Sequence, residues 1–236
     1  MNPQAPSIFP PVHEAGPEGL IAIGGRLEPE WLLDAYRHGI FPWPDDDHSP
    51  LLWWSPDPRA VIELDGLYVS RRLRRRLRSG RFRVTLNQAF AEVMHGCATA
   101  PDRKGGTWIT PQMRAAYTRM HELGHAHSID VWLENRLVGG VYGVAIGAAF
   151  AAESMFHLET DASKVALASL VSHLAARGFE LLDIQQWTEH TGSMGAVEVP
   201  REAFLRRLAN AIDKPVTMGE RLEGRPAETP PATTAD

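Results

Sequence analysis

The sequence predicts an α+β protein: a small irregular N-terminal module, then a larger domain whose mixed, mostly antiparallel sheet is flanked by helices. Three observations carry this expectation. The first sixty residues crowd proline together with tryptophan. A middle region reads as helices with recognisable caps. From Ser128 onward the pattern runs strand, strand, strand, helix, strand.

Taken in order, residues 1–62 form the Trp/Pro-rich module, with one short helix from about Glu28 to His38, ended by Gly39. Between Phe41 and Arg59 stand Pro42, Pro44, Pro50, Pro56 and Pro58. Proline denies this stretch regular structure, so Trp43, Trp53 and Trp54 are expected to supply its packing. The larger domain spans 63–218. In it Ser70 can N-cap a helix with Leu73 and Leu77 as its apolar stripe, closed by Gly80. A strand from Arg81 to Leu86 follows, and Asn87 is placed to cap a helix to about Cys97. Thr110-Pro111, a cap followed by proline at N1, opens a helix that ends near Gly124. Ser128–Leu133 and Leu137–Ile146 read as a hairpin, and Ala148–Phe156 as a third strand. Asp161–Arg177 reads as an amphipathic helix with Gly178 at C′, Phe179–Gln185 as a strand and Pro200 to about Ile212 as a last helix. Residues 219–236, rich in Pro, Ala, Thr and Glu, read as a disordered tail.

Composition narrows the class. The chain has 236 residues, one of them Cys, which excludes an intramolecular disulfide framework. Met1-Asn2-Pro3-Gln4 has neither a basic nor an apolar leader region, and Leu137–Ala152, the longest uncharged stretch in mid-chain, is shorter than the ~18 residues of a membrane span. A soluble cytoplasmic protein is expected, with no membrane partner. The net charge is −5, yet seven arginines fall between Arg71 and Arg81 with no acid among them. An acidic body with one basic patch suggests a polyanion docked at one place.

Several motifs bear on chemistry. His121-Glu122-Leu123-Gly124-His125 matches the zinc-protease pattern, but Gly124 is a natural helix terminator, which would leave His125 off the helix face that the motif needs. No phosphate-binding G-x-x-x-x-G-K-[ST] loop is present. The entry His157-Leu158-Glu159-Thr160-Asp161 is acidic and lacks glycine, so it is a poor cradle for a coenzyme A pyrophosphate. Cys97 lies on an apolar helix stripe, and Ser154 and Ser193 lack a nucleophile elbow. Asp183 and Gln185 share one face of a strand, which is costly if buried without partners and ordinary on a wet edge strand.

At this point the chain resembles the leucyl/phenylalanyl-tRNA–protein transferases, from Gly19 to about Leu208. The likeness lies in Gly19-Leu-Ile-Ala-Ile-Gly-Gly25, Ala35-Tyr-Arg-His-Gly-Ile-Phe-Pro-Trp43, Leu52-Trp-Trp-Ser-Pro-Asp-Pro-Arg59, Gly106-Thr-Trp-Ile109 and His125-Ala-His-Ser128. It continues through Gly139-Gly-Val-Tyr-Gly143, Glu153-Ser-Met-Phe156, Ala162-Ser-Lys164, Asp183-x-Gln185 and His190-Thr-Gly-Ser-Met-Gly195. Arg26, Ile184, Gly192 and Met194 depart from the family's commoner residues.

The resemblance implies an acetyltransferase-like core and a reaction. Leu or Phe, sometimes Met, passes from an aminoacyl-tRNA to the N-terminal Arg or Lys of a protein, which marks it for N-end-rule degradation. The ester is already activated, so no cofactor and no metal are expected, and a monomer suffices. Asp183 and Gln185 fall at the reaction centre, with Gln185 accepting a hydrogen bond from the attacking amine and Asp183 orienting it. A neutral carboxamide is too weak to be the full base, which leaves the proton to the tRNA's 2′-hydroxyl or to water. The donor side chain is expected among Phe150, Met155, Leu167, Leu170 and Leu182, with Glu153 on its α-amino group. Strict alternation puts Phe150 and Met155 on opposite faces, so this pocket requires a bulge; the alternative is that these apolar residues are plain core. Arg71, Arg75 and Arg78 would hold tRNA phosphates. Trp43, Trp53, Trp54 and Trp108 would stack on the terminal adenosine or close the pocket, or else are structural. Two other readings remain: a zinc hydrolase through His121, Glu122 and His125, and a non-catalytic tRNA-binding protein.

Overall fold

The structure, a computed structural model, describes residues 7–100 and 107–224. Two sheets organise the chain. The N-terminal region carries β1 (Leu20–Ile23), α1 (Pro29–Arg37), β2 (Phe41–Pro42) and β3 (Leu52–Trp54), and its strands pair antiparallel in the order β1-β3-β2. The region expected to be irregular therefore holds a small sheet. Strands of two to four residues between prolines give too little alternation to be read. Trp53, fully buried, packs against Phe9 at 4.6 Å and donates its indole N–H to the Gly24 carbonyl at 2.8 Å.

The large sheet is built from β4 (Arg59–Ile62), β5 (Arg83–Leu86), β6 (Ala126–Leu133), β7 (Arg136–Ile146), β8 (Ala149–His157), β9 (Leu181–Gln185) and β10 (Ala196–Val199). Its order is β10-β4-β9-β8-β7-β6-β5. Only β8 and β9 pair parallel, so the sheet is mixed and mostly antiparallel, as expected. Strand β4 lies within this sheet, although residues 59–62 were expected in the module. One face is covered by α3 (Phe90–Thr99), α4 (Pro111–Glu122), α7 (Arg201–Ala211) and the N-terminal region, which share one core. The other face carries α2 (Arg71–Arg78) and α5 (Ala162–Arg177). A short α6 (Glu189–Gly192), unanticipated in the sequence, leads into β10.

The caps follow the sequence in most places. Ser70 accepts the Leu73 N–H and Thr110 accepts the Met113 N–H, with Pro111 at N1. Asn87 is the exception. It sits at φ +59 and bonds across to Ser128 and His127, while the Gln88 N–H goes to the buried Asp130. With Asp130 accepting the turn's N–H, α3 begins only at Phe90, without a side-chain cap. Helix α5 is buried on nearly all sides because residues 216–223 run along its outer surface. There the Glu223 N–H donates to His173 Nδ1 at 2.9 Å, and Arg177 holds Glu223 at 2.9 Å. The first residues of the expected tail are thus docked, which a composition-based reading misses; the rest of it, 225–236, lies outside the described residues, as do 101–106 of the Thr99–Gly106 loop. Among the described residues, no helix is long and apolar enough to cross a membrane.

A bulge in β8 is needed to bring Phe150 and Met155 to one side, and it is present. Tyr142 opposes Ser154 but Gly143 opposes Ala152, so Glu153 is the extra residue. Phe150 and Met155 consequently both pack toward α5, while Glu153 turns to the opposite face. A Cβ on Gly143 would stand 2.2 Å from the Ala151 carbonyl and 2.5 Å from the Phe150 ring. Gly143→Ala is expected to lower stability by about 1–3 kcal/mol, seen as a lower urea midpoint with unchanged slope.

Candidate active site

The site begins with a charge that cannot be left alone. Asp183, on β9 at the centre of the sheet, is almost fully buried. Arg59 on β4 answers it with a bidentate pair, Nε to Oδ1 at 2.8 Å and Nη2 to Oδ2 at 2.6 Å. The guanidinium lies over the rings of Phe41 and Phe204 and gives its remaining edge to the Gly39 carbonyl at 3.0 Å. Two short charge-assisted bonds and two aromatic faces are the setting in which a buried ion pair is tolerated. The edge-strand reading of Asp183 and Gln185 therefore does not hold, because β9 has a neighbour on each side.

Asp183 also shapes the chain after it. Its Oδ1 accepts the Gln185 backbone N–H at 2.9 Å, and the Gln186 N–H reaches back to the Ile184 carbonyl at 2.7 Å. Gln185 is held at φ +64 in this tight three-residue turn, a conformation that side-chain-bearing residues seldom adopt. Its carboxamide Nε2 donates to Glu153 Oε1 at 2.6 Å. Tyr117 from α4 donates to Glu153 Oε2 at 3.1 Å, and the hydroxyls of Tyr117 and Tyr36, the latter from α1, bond to each other. Burial pushes the Glu153 carboxyl up to about 7, against the lowering effect of these hydrogen bonds. Burial and the neighbouring Glu153 charge raise both tyrosines well above their usual value.

Parallel pairing of β8 and β9 ends at Ala151 opposite Asp183. Beyond that rung the bulge at Glu153 and the turn at Gln185 carry the two strands apart. A cavity of about 410 Å³ opens between them, with Glu153, Ser154 and Met155 on one side, Ile184, Gln186 and Thr188 on the other, and His157, Ser163 and His190 around it. Of the expected pocket residues, Glu153 and Met155 reach this surface. Phe150, Leu167, Leu170 and Leu182 do not; they form the buried layer behind it, with Phe150 and Leu182 on adjacent rungs. Trp43 and Trp54 wall a second hollow of about 310 Å³ with Glu18 and Asp45, and Gln186 belongs to both cavities. Trp108 faces Trp43 at 6.3 Å in a third hollow beside Asp45–Asp47. Trp53 is core.

Helix α2 is docked at the cavity rim. Arg72 and Arg76 reach Asp161 at 3.3 and 3.6 Å, two residues before Ser163, and Arg81 and Arg136 hold Glu159. The acids of the His157–Asp161 entry are thus neutralised from outside. Arg71, Arg75 and Arg78 are exposed, and among the described residues none of the three has an ion-pair partner.

The zinc pattern does not assemble. Helix α4 ends at Glu122 and Gly124 takes φ +81, so His125 leaves the helix face of His121. His121 stacks on Phe90 and bonds the Ala126 carbonyl, while Glu122 pairs with Arg119 at the surface. Cys97 is buried in the core, as expected.

Arg59, Tyr36, Tyr117 and Gln186 escaped the reading of single residues. Arg59 and Tyr36 do stand inside segments that carry the resemblance, and an arginine five residues after the last tryptophan of a proline-rich run was a usable signal.

Asp183 and Gln185 do not themselves line the cavity, but their neighbours Ile184 and Gln186 do, and the Gln185 carboxamide is bonded to Glu153 on the cavity wall. A carboxylate so placed, beside Met155 and Ile184, is equipped to align an amine with an acyl group. Such a site defines an acyltransferase. The family described as leucyl/phenylalanyl-tRNA protein transferase matches residues 61–209, and that family's N-terminal domain matches residues 25–57. Proteins named leucyl/phenylalanyl-tRNA–protein transferase are similar over most of their length. One from Nitratidesulfovibrio vulgaris is 55% identical over 220 residues, 92% of this chain and 93% of its own. One from Syntrophotalea carbinolica is 53% identical over 212 residues, 89% and 92% of the two chains. One from Azoarcus sp. strain BH72 is 56% identical over 198 residues, 83% and 84%. The chain belongs to the leucyl/phenylalanyl-tRNA–protein transferase family.

Two expectations follow from the buried charges. Arg59→Met leaves Asp183 buried without its partner and should cost about 3–5 kcal/mol in chemical denaturation, part of which Asp183→Asn in the same chain recovers. Glu153 has its carboxyl raised in the folded state, so the stability it contributes is full below its unfolded value near 4.5 and is lost as pH rises through about 7. Relative to Glu153→Gln, the wild type should lose about 3 kcal/mol between pH 4.5 and 8, measured by urea unfolding across pH.

Proposed function

We propose that this chain transfers leucine or phenylalanine, with methionine as a further donor, from aminoacyl-tRNA to the N-terminal arginine or lysine of an acceptor protein. Such a product would enter N-end-rule degradation. The observation that carries this reading is the meeting of three parts at one place: the Asp183–Gln185 turn, the cavity where β8 and β9 separate, and the basic helix docked at its rim.

In this reading the donor's side chain lies against Met155 and Ile184, with Phe150, Leu167, Leu170 and Leu182 as the rigid layer behind them. Methionine is unbranched and polarizable, which suits a wall that accepts both leucine and phenylalanine. The exposed Arg71, Arg75 and Arg78 take tRNA phosphates, a contact indifferent to sequence. Trp43 and Trp54 offer stacking surfaces in the hollow that shares Gln186, and Trp108 extends that aromatic wall. The Gln185 carbonyl receives a hydrogen bond from the acceptor amine. Its N–H is already given to Glu153, so the amide can point only one way. Asp183 fixes Gln185 through the backbone rather than through its side chain.

The test is direct. Purified protein is incubated with Phe-tRNA or Leu-tRNA and a peptide beginning with Arg or Lys; label should move to the peptide, and a folded protein that transfers none refutes the proposal. Gln185→Ala should lower kcat roughly 100-fold while donor KM stays within about threefold; collapse of donor binding would remove Gln185 from the reaction centre. Replacing Arg71, Arg75 and Arg78 by Gln should weaken tRNA binding and flatten its dependence on log salt by about one unit per arginine, measured by filter binding.

A further inference from the structure

Transfer needs a group to take the proton that the attacking nitrogen sheds, and a neutral carboxamide is a poor one. The structure holds a better acceptor one hydrogen bond away. Glu153 is the bulge residue of β8, and the bulge swings its carboxylate out of the strand's alternation and onto the cavity wall. Its Oε1 accepts from Gln185 and its Oε2 from Tyr117. A carboxylate has about four acceptor positions, so these bonds leave it acceptor capacity. An amine seated on the carbonyl end of the Gln185 amide is a neighbour of the carboxylate bonded to its nitrogen end.

We propose that Glu153 is the catalytic residue that takes the proton from the acceptor amine. The inference rests on the transfer reaction proposed above and reassigns Glu153 from the donor's α-amino group to the acceptor. The neutral amine attacks the ester carbonyl and the C–N bond forms. The proton lost by nitrogen passes to Glu153. When the C–O bond breaks, that proton goes to the departing ribose oxygen, and the carboxylate is restored. One proton has moved from nitrogen to oxygen, with no other reactant.

The groups around Glu153 fit this task. Tyr36 from α1 and Tyr117 from α4 surround it with hydroxyls, and Tyr142 on β7 packs edge-on against Tyr117. On β9 the nearest negative charge, Asp183, is matched by Arg59 from β4, and among the described residues no cation pairs with Glu153 itself. Burial then places its ionisation at about 7, where a base works best at neutral pH.

The experiment is the pH dependence of kcat/KM for an Arg-initiated peptide with saturating Phe-tRNA. In the wild type both Glu153 and the acceptor amine, which ionises at ~7.7–8.0, must lose a proton, so the logarithm of the rate should approach a slope of two below about pH 6.5. In Glu153→Gln the slope should fall to one and the plateau drop roughly 100-fold or more. Tyr117→Phe removes a hydrogen bond that holds the Glu153 carboxyl down, so the lower limb should move to higher pH with the plateau largely kept. A slope of two in Glu153→Gln, or a raised donor KM at unchanged kcat, would overturn the proposal and return Glu153 to the donor's ammonium group. If Glu153→Gln does not fold, the Tyr117→Phe profile decides, and an unmoved limb refutes the assignment. A wild type that transfers nothing would instead refute the underlying reaction.

Discussion

The buried pair of Arg59 and Asp183 is the constraint on which the site depends. Two charges at the centre of a sheet are tolerable only if each satisfies the other, and removing either leaves a cost that few domains of this size can absorb. Meeting that condition fixes much else. Strand β4 must lie beside β9. Phe41 and Phe204 must close over the guanidinium, and the Gly39 carbonyl must face it. The pair also decides what Asp183 can do. Its side-chain charge is spent on Arg59, so it acts on Gln185 through a backbone N–H and sets the direction of the carboxamide.

Two local irregularities turn this anchor into a cleft. The extra residue in β8 and the positive φ at Gln185 each break the period of a strand at the same level of the sheet. One alone would re-aim a single side chain. Together they separate two parallel strands and leave a carboxylate on the cavity wall with an amide bonded behind it. Strain of this kind persists only where surrounding contacts over-determine it, and here the ion pair, the Asp183–Gln185 bond and the tyrosine pair do so.

Long periodic elements were legible in the sequence. The hairpin after Ser128, the third strand, the helix ending at Gly178 and the caps at Ser70 and Thr110 all follow from alternation and end signals. The need for a bulge between Phe150 and Met155 was legible too, because two residues five apart cannot otherwise share a face. Short strands among prolines were not, nor was β10, whose four residues lie between a turn and a proline. Asn87 misled because a helix cap and a turn bonded across the sheet look alike in sequence; Asp130, forty-odd residues away, decides between them. For the same reason Arg59 and Tyr36 could be quoted as parts of familiar segments, and Tyr117 passed over, without their roles being visible. Their meaning is tertiary: each becomes a site residue only when β4, α1 and α4 converge on β9 and β8.

That convergence bears on how the molecule could be taken apart. Residues 25–57 and 61–209 correspond to separately defined stretches, yet Tyr36 and Phe41 from the first complete the surroundings of Glu153 in the second and of Arg59, which stands between the two. Excising the N-terminal stretch would open both ionisable groups to solvent, relaxing Glu153 toward an ordinary carboxyl and unroofing the guanidinium. The boundary visible in sequence is therefore not a seam at which recombination could graft a new front half: any exchanged piece would have to bring its own phenol and its own aromatic lid, in register.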